Sequence, residues 1–238
     1  MKYSPLSWRR AISWCFPVIL FLATARAQQP AAPELQPILS KMDQLAANFR
    51  TTQAAFVWNQ YQKVVDETDT QKGTVYFRRS GNEIQMAADI TDPTSPKQVL
   101  FTDSKVEIYQ PKIDQVTRYN TGKDRATIES FLVLGFGGSG RDLVKSFDVK
   151  YLGTEKVGGV DTAKLELVPK SPKVRGTFDH ILLWIDPARG VSVQQQLFEP
   201  SGDYRLAKYS DIQLNQKIPD TAFKLKTTGK TKVVSPQG

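Results

Sequence analysis

From Lys97 to Tyr119 the chain reads KQVLFTDSKVEIYQPKIDQVTRY, and apolar positions alternate with polar ones in three short runs. Residues 98–102 and 105–109 flank a polar Asp103-Ser104 turn, Gln110-Pro111 breaks the second run, and Asp114-Gln115-Val116-Thr117 opens the third. Alternation at period two predicts a meander of antiparallel strands, each with one apolar and one polar face. Such a sheet needs cover on its apolar side. The same pattern predicts strands at 52–66, 72–79 and 83–90 before the meander. After it, strands are predicted at 149–157, 162–168, 178–186, 191–199 and 204–215, with a last one near 223–226. Ser80-Gly81-Asn82, Asp186-Pro187-Ala188-Arg189-Gly190 and Pro200-Ser201-Gly202-Asp203 supply turns.

A second period interrupts the first. Leu35, Ile38, Leu39, Met42, Leu45, Ala46 and Phe49 recur at helical spacing, so 34–49 is predicted as an amphipathic helix. Residues 126–134, with Ile128, Phe131 and Leu132, are again apolar at helical spacing, and 141–147 reads as another short helix. Between them Phe136-Gly137-Gly138-Ser139-Gly140 reads as a flexible break, with Gly137, Gly138 and Gly140 as its hinge. The fold class is therefore α+β: one curved antiparallel sheet of about ten to eleven strands, carrying an N-terminal helix and a helical insert midway.

The ends narrow the setting. Lys2, Arg9 and Arg10 precede an apolar run at 11–22 and an Ala25-Arg26-Ala27 site, the pattern of a secretory signal peptide cleaved after Ala27. Residues 28–33 read as a flexible lead-in, 34–228 as one domain and 229–238 as a polar tail. Four basic and no acidic residues lie in the first 27, so the formal charge of +8 falls to +4 on cleavage. A mild basic excess in an exported chain suits acidic partners or an anionic membrane surface, with Arg78 and Lys105 as candidate docking residues, and argues against nucleic acid. The one cysteine, Cys15, lies in the leader, so disulfides and thiolate chemistry are excluded from the mature chain.

Catalytic constellations are thin. The single histidine, His180, lies in an alternating run on the face of Leu182 and Trp184, where a sheet-surface role is expected. No HExxH, CxxC or GxSxG motif occurs, and the ligand set for a zinc site is inadequate. Residues 135–140 (GFGGSG) lack the Lys-Ser/Thr ending of a phosphate loop. No enzyme, cofactor or metal is expected. What stands out instead is a set of apolar strand faces: Val75 and Phe77, Ile84 and Met86, Leu165 and Leu167, and Ile181, Leu183 and Ile185. These residues either fill an ordinary core or line an apolar cavity that a strongly curved sheet leaves open.

An ordered series of motifs resembles the periplasmic outer-membrane lipoprotein carriers of the LolA type. After the first helix come Phe56-x-Trp58-x-Gln60 and Gly73-x-Val75-x-Phe77-Arg78-Arg79. Residues 98–103, Tyr109-x-Pro111 and Asp114-Gln115-Val116-Thr117 follow. Leu165-x-Leu167-x-Pro169-Lys170, Ile185-Asp186, Asn215-x-x-Ile218-Pro219 and Phe223 complete the series across the mature chain. The resemblance implies an unclosed half-barrel whose mouth is capped by helices, with 126–134 as a lid, over an apolar cavity. It also implies a monomeric carrier without cofactor. Such a carrier takes acylated lipoproteins from an inner-membrane ABC-type exporter to an outer-membrane acceptor, making and breaking no covalent bond. Arg79 matches the family's lid-locking arginine. Ser80 stands where the family has proline, Ile84-Gln85-Met86 lacks an expected aromatic, and Ser104 replaces a glycine. A lipoprotein-binding sensor on the same scaffold is the alternative; such sensors usually add a second domain.

Overall fold

The helix at the start forms because four apolar residues fall on one stripe. In the computed structural model, which describes residues 33–81, 83–102, 105–122 and 134–236, α1 spans Leu35–Asn48 and buries Leu35, Ile38, Leu39 and Met42. Phe49 then turns extended and leads straight into the first strand.

The strands follow in two meanders. The first comprises β1 (Thr51–Gln62), β2 (Glu67–Ser80), β3 (Glu83–Ile90), β4 (Lys97–Thr102), β5 (Lys105–Gln110) and β6 (Gln115–Asn120). The second comprises β7 (Phe147–Val157), β8 (Val160–Pro169), β9 (His180–Asp186), β10 (Val191–Phe198) and β11 (Tyr204–Leu214). All belong to one sheet of order β12-β6-β5-β4-β3-β2-β1-β11-β10-β9-β8-β7, where β12 is Lys232–Val234. The seam between the meanders is the antiparallel β1–β11 pair. The edges β7 and β12 do not meet, so the barrel stays open. Between the meanders lies α2 (Gly140–Ser146), and between β8 and β9 the single turn α3 (Pro172–Arg175). Ser139 caps α2 by accepting from the Asp142 amide at 3.0 Å.

Three departures from the sequence pattern have physical causes. β2 begins at Glu67 rather than 72, because residues 67–72 pair only with β1 and carry no apolar face to betray them. The strand expected near 223–226 is a 3-10 turn, Asp220–Phe223, whose Phe223 is buried on the outer face of the sheet. The segment expected as a polar tail contributes β12, the twelfth strand, paired parallel to β6.

Ile218, Phe223 and Leu225 form a small core with Tyr76, Ala87 and Leu100 on that outer face. The C-terminal segment is thus a strap laid across β2, β3 and β4. Arg78 is part of its fastening: its guanidinium lies 4.2 Å from the Phe223 ring centroid, pairs with Asp220 and donates to Gln85 at 2.8 Å. That places Arg78 within the fold, rather than free to dock a partner as expected.

Two motif residues act as clamps. Asn215, with φ of 57°, accepts from the amides of Arg50 (2.8 Å) and Thr51 (3.3 Å) and donates to the Asn48 carbonyl (3.1 Å). It therefore fixes the exit of α1 to the start of the strap. Asn215→Ala should cost about 2 kcal/mol, from lost hydrogen bonds plus the left-handed backbone that asparagine tolerates. Urea unfolding of Asn215→Ala and Asn215→Gly checks this; glycine should recover the backbone part alone. Asp114 accepts from Thr231 (2.6 Å), Thr228 (2.7 Å) and Tyr109 (3.1 Å), and its carbonyl accepts from the Lys232 amide (3.0 Å).

The Thr231 and Thr228 hydroxyls hold the Asp114 carboxyl below the ordinary aspartate range, and Tyr109 adds to them against opposing burial. A folded-state value below the unfolded one contributes stability above the unfolded pKa, about 3.9. That contribution is lost as pH falls through the folded value. Amide exchange at Lys232 and Val234, corrected for the intrinsic rate, should therefore accelerate on acidification below about pH 4. A flat profile would remove the clamp.

Candidate functional site

Register places the inner side chains on one continuous face. Trp58 opposes Ala207, Ala207 opposes Gln195, and Gln195 opposes Leu183, so the β1–β4 wall and the β8–β9 wall share a side of the sheet. The two walls are treated differently. Leu165, Leu167, Ile181, Leu183 and Ile185 are fully buried in one cluster with the α1 stripe, Leu134, Leu143 and Phe147. The protein's own helix covers these five residues. Val75, Phe77 and Ile84 belong to a second cluster with Phe49, Phe56 and Phe136, around which Trp58, Met86, Ala88 and Val99 remain half-buried.

Phe136 fills the space over this second wall. Its ring stacks on Phe77 (centroids 5.2 Å apart, 15° between planes) and meets Tyr209 edge-on at 4.6 Å. Only 1% of it is exposed. Burial pushes the Tyr209 phenol well above the ordinary tyrosine range, and its hydroxyl donates weakly to Gln195 at 3.5 Å. Gln195 also donates to the Leu134 carbonyl, and the Ser192 amide donates to Gly135 at 2.9 Å. The segment 134–137 is therefore a wedge pinned to β10.

The glycines there permit close approach. Gly135 and Gly137 have φ of 81° and 92°. A methyl on Gly137 would come within 2.7 Å of the Phe49 ring, and one on Gly140 within 2.4 Å of the Leu39 carbonyl oxygen. Gly138 joins this packed turn to the Ser139 cap. Composition alone reads the stretch as a flexible break and passes over Phe136. The signal is a lone aromatic bracketed by glycines, whose freedom lets the backbone drive the ring inward.

Arg79 lies exposed at the end of β2, its guanidinium 5.8 Å from the Phe49 ring centroid and its amide donating to Arg50 at 2.8 Å. Phe49 in turn packs against Gly137. Arg79, Phe49 and the wedge thus form one continuous contact. Ile128, Phe131 and Leu132, expected on a lid helix, lie outside the described residues, as does the rest of that helix except Leu134, which stands in a turn.

Other candidate chemistry sits elsewhere. His180 stacks on Phe198 at 4.3 Å, with Nδ1 2.8 Å from Asp179 Oδ2, on the side of the sheet opposite Ile181 and Leu183. Among the described residues no cluster of potential metal ligands occurs, and no helix is long and apolar enough to cross a membrane. A hollow of about 700 Å³ opens beside the β7–β8 turn and β11, lined by Val57, Val157, Val160, Val193, Tyr209 and Ile212.

A twelve-stranded unclosed sheet, apolar on the side its helix shelters, is an α+β scaffold built round one face. The sequence matches the family model described as outer membrane lipoprotein carrier protein LolA over residues 47–226. The chain belongs to the LolA family, a family of carrier proteins. No curated protein matches it significantly. MucB is similar in structure at 13% identity and a TM-score of 0.54, over 86% of this chain and 66% of that one. An uncharacterised conserved protein from Thermus thermophilus is similar at 12% identity and a TM-score of 0.54, over 85% of this chain and 99% of that one. At these identities the likeness is one of fold.

Proposed function

We propose that this protein is a periplasmic carrier whose β1–β4 wall shelters the acyl chains of lipoproteins, or of related lipid cargo, between the inner and outer membranes. One observation carries the reading: among the described residues the β8–β9 wall is covered by α1, while the β1–β4 wall offers half-buried Trp58, Met86, Ala88 and Val99 around the ring of Phe136. Each methylene withdrawn from water gains about 0.8 kcal/mol, so an acyl chain of ordinary length binds such a wall strongly. Loading needs a donor, here an inner-membrane ABC-type exporter, and delivery an outer-membrane acceptor. No covalent step is required of the carrier.

Mass spectrometry of the protein purified from its own envelope should find acylated lipoprotein or lipid bound. A fluorescent fatty acid should be displaced by that cargo; an empty protein that binds no acyl probe would falsify the reading. In this scheme Arg79 holds the wedge through Phe49. Arg79→Leu should leave the thermal midpoint nearly unchanged, since an exposed cation–π contact is worth about 0.5–1 kcal/mol. Cargo transfer in a reconstituted assay should be impaired. Unaltered transfer removes that role.

A further inference from the structure

Four lysines gather at the β12 edge of the sheet. Lys112, Lys226, Lys230 and Lys232 are all exposed where the 3-10 turn Pro111–Ile113 meets the strap. The backbone brings them together. The Lys226 amide donates to Gln98, the Lys230 amide to Thr228, and the Lys232 amide to Asp114, while Lys112 Nζ reaches the Thr94 carbonyl at 2.7 Å. The carboxylates nearby are already committed. Asp114 accepts from three hydroxyls, Asp92 from Thr94 and the Ser95 amide, and Asp89 faces Lys226 at 3.4 Å and Gln98 at 2.7 Å. Among the described residues, Lys230 and Lys232 have no carboxylate within ion-pair distance. Two aliphatic side chains stand out of the same corner: Ile113 is 60% exposed and Val233 51%.

We propose that this corner docks the protein onto an anionic phospholipid surface. Charge complementarity selects an anionic partner, and the residue types select a bilayer over a protein. Protein interfaces are depleted of lysine and enriched in arginine and aromatic rings, whereas this corner is lysine with aliphatic side chains. Lysine is a mobile point charge suited to a fluid sheet of phosphates, and exposed Ile and Val side chains suit the headgroup boundary. Its place at the β12 edge, separated from β4 by β6 and β5, leaves the β1–β4 wall unobstructed during docking. The inference is independent of the carrier reading, because it makes no use of the β1–β4 wall.

The test is sedimentation of the purified protein with vesicles of phosphatidylcholine alone or with one third phosphatidylglycerol. Binding is expected only to the anionic vesicles and should fall steeply with added salt. Replacing Lys226, Lys230 and Lys232 together by glutamine should weaken it on the order of a hundredfold, at about fivefold per lysine. The same change at Lys145, Lys150 and Lys208, which lie elsewhere on the surface, should leave most of the binding. Equal losses in the two triple variants would reduce the effect to net charge and overturn the proposal. So would failure to sediment at low salt, or capture by immobilised polyglutamate without vesicle binding. An unchanged thermal midpoint shows that the variants fold, and retained displacement of a fatty-acid probe separates this outcome from failure of the carrier function.

Discussion

Phe136→Ala should destabilise the protein by about 3–5 kcal/mol and at the same time raise its affinity for an acyl probe. The first effect follows from removing a fully buried ring that touches both Phe77 and Tyr209. The second follows from what the ring covers. With it gone, Val75, Phe77 and their half-buried neighbours line a vacancy that an acyl chain can fill without first expelling a side chain. Leu183→Ala is the control. It removes a comparably buried group beneath α1, should cost about 2–5 kcal/mol, and should leave probe affinity where it was. Urea unfolding and probe titration on the three proteins decide the matter. A destabilised Phe136→Ala that binds no better would make the ring ordinary core.

Gly73→Ala should be at least as damaging to the fold, by about 3 kcal/mol or more, at the upper end of overpacking costs. A methyl there would lie 1.9 Å from the Asp89 carbonyl oxygen and 2.9 Å from its carbon. These are backbone atoms of the paired strand and cannot swing aside as a side chain would. Gly73 is also the first β2 residue paired with β3, opposite Ile90, after residues 67–72 have laddered with β1. The β2–β3 ladder must therefore splay at the residue where it begins. Loss of soluble protein, or a much lower urea midpoint, is the expected reading. A normal midpoint would mean that the two strands separate there at little cost.

Much of this architecture can be read directly from the chain. Period-two alternation at 83–90 and 98–102 marks β3 and β4 almost to the residue, because each turns a row of apolar side chains to the inner face, although Ala87 and Leu100 are buried on the outer face as well. The stripe at Leu35, Ile38, Leu39 and Met42 marks α1 for the same reason. Illegible parts are those held by something other than one-sided burial. Glu67–Lys72 extends β2 through backbone pairing alone, and Lys232–Val234 is a strand because Asp114 and β6 hold it there. At the site, alternation identifies which strand residues point inward but not which of them α1 would cover. That choice depends on where the helix lands in three dimensions. Leu165 and Val75 look alike in sequence, yet one lies under α1 and the other under Phe136.

The pairing of Thr52 with Leu214 at the middle of the sheet has a consequence for biogenesis. Neighbouring strands within each meander can zip together as they emerge, but the central ladder waits until nearly the whole polypeptide is free. Topologies dominated by such distant partners fold slowly. Under the proposed export and carrier role, slowness would be an asset: no premature tertiary lock would form on the wrong side of the membrane, and the two halves would first meet in the compartment where the cargo is carried.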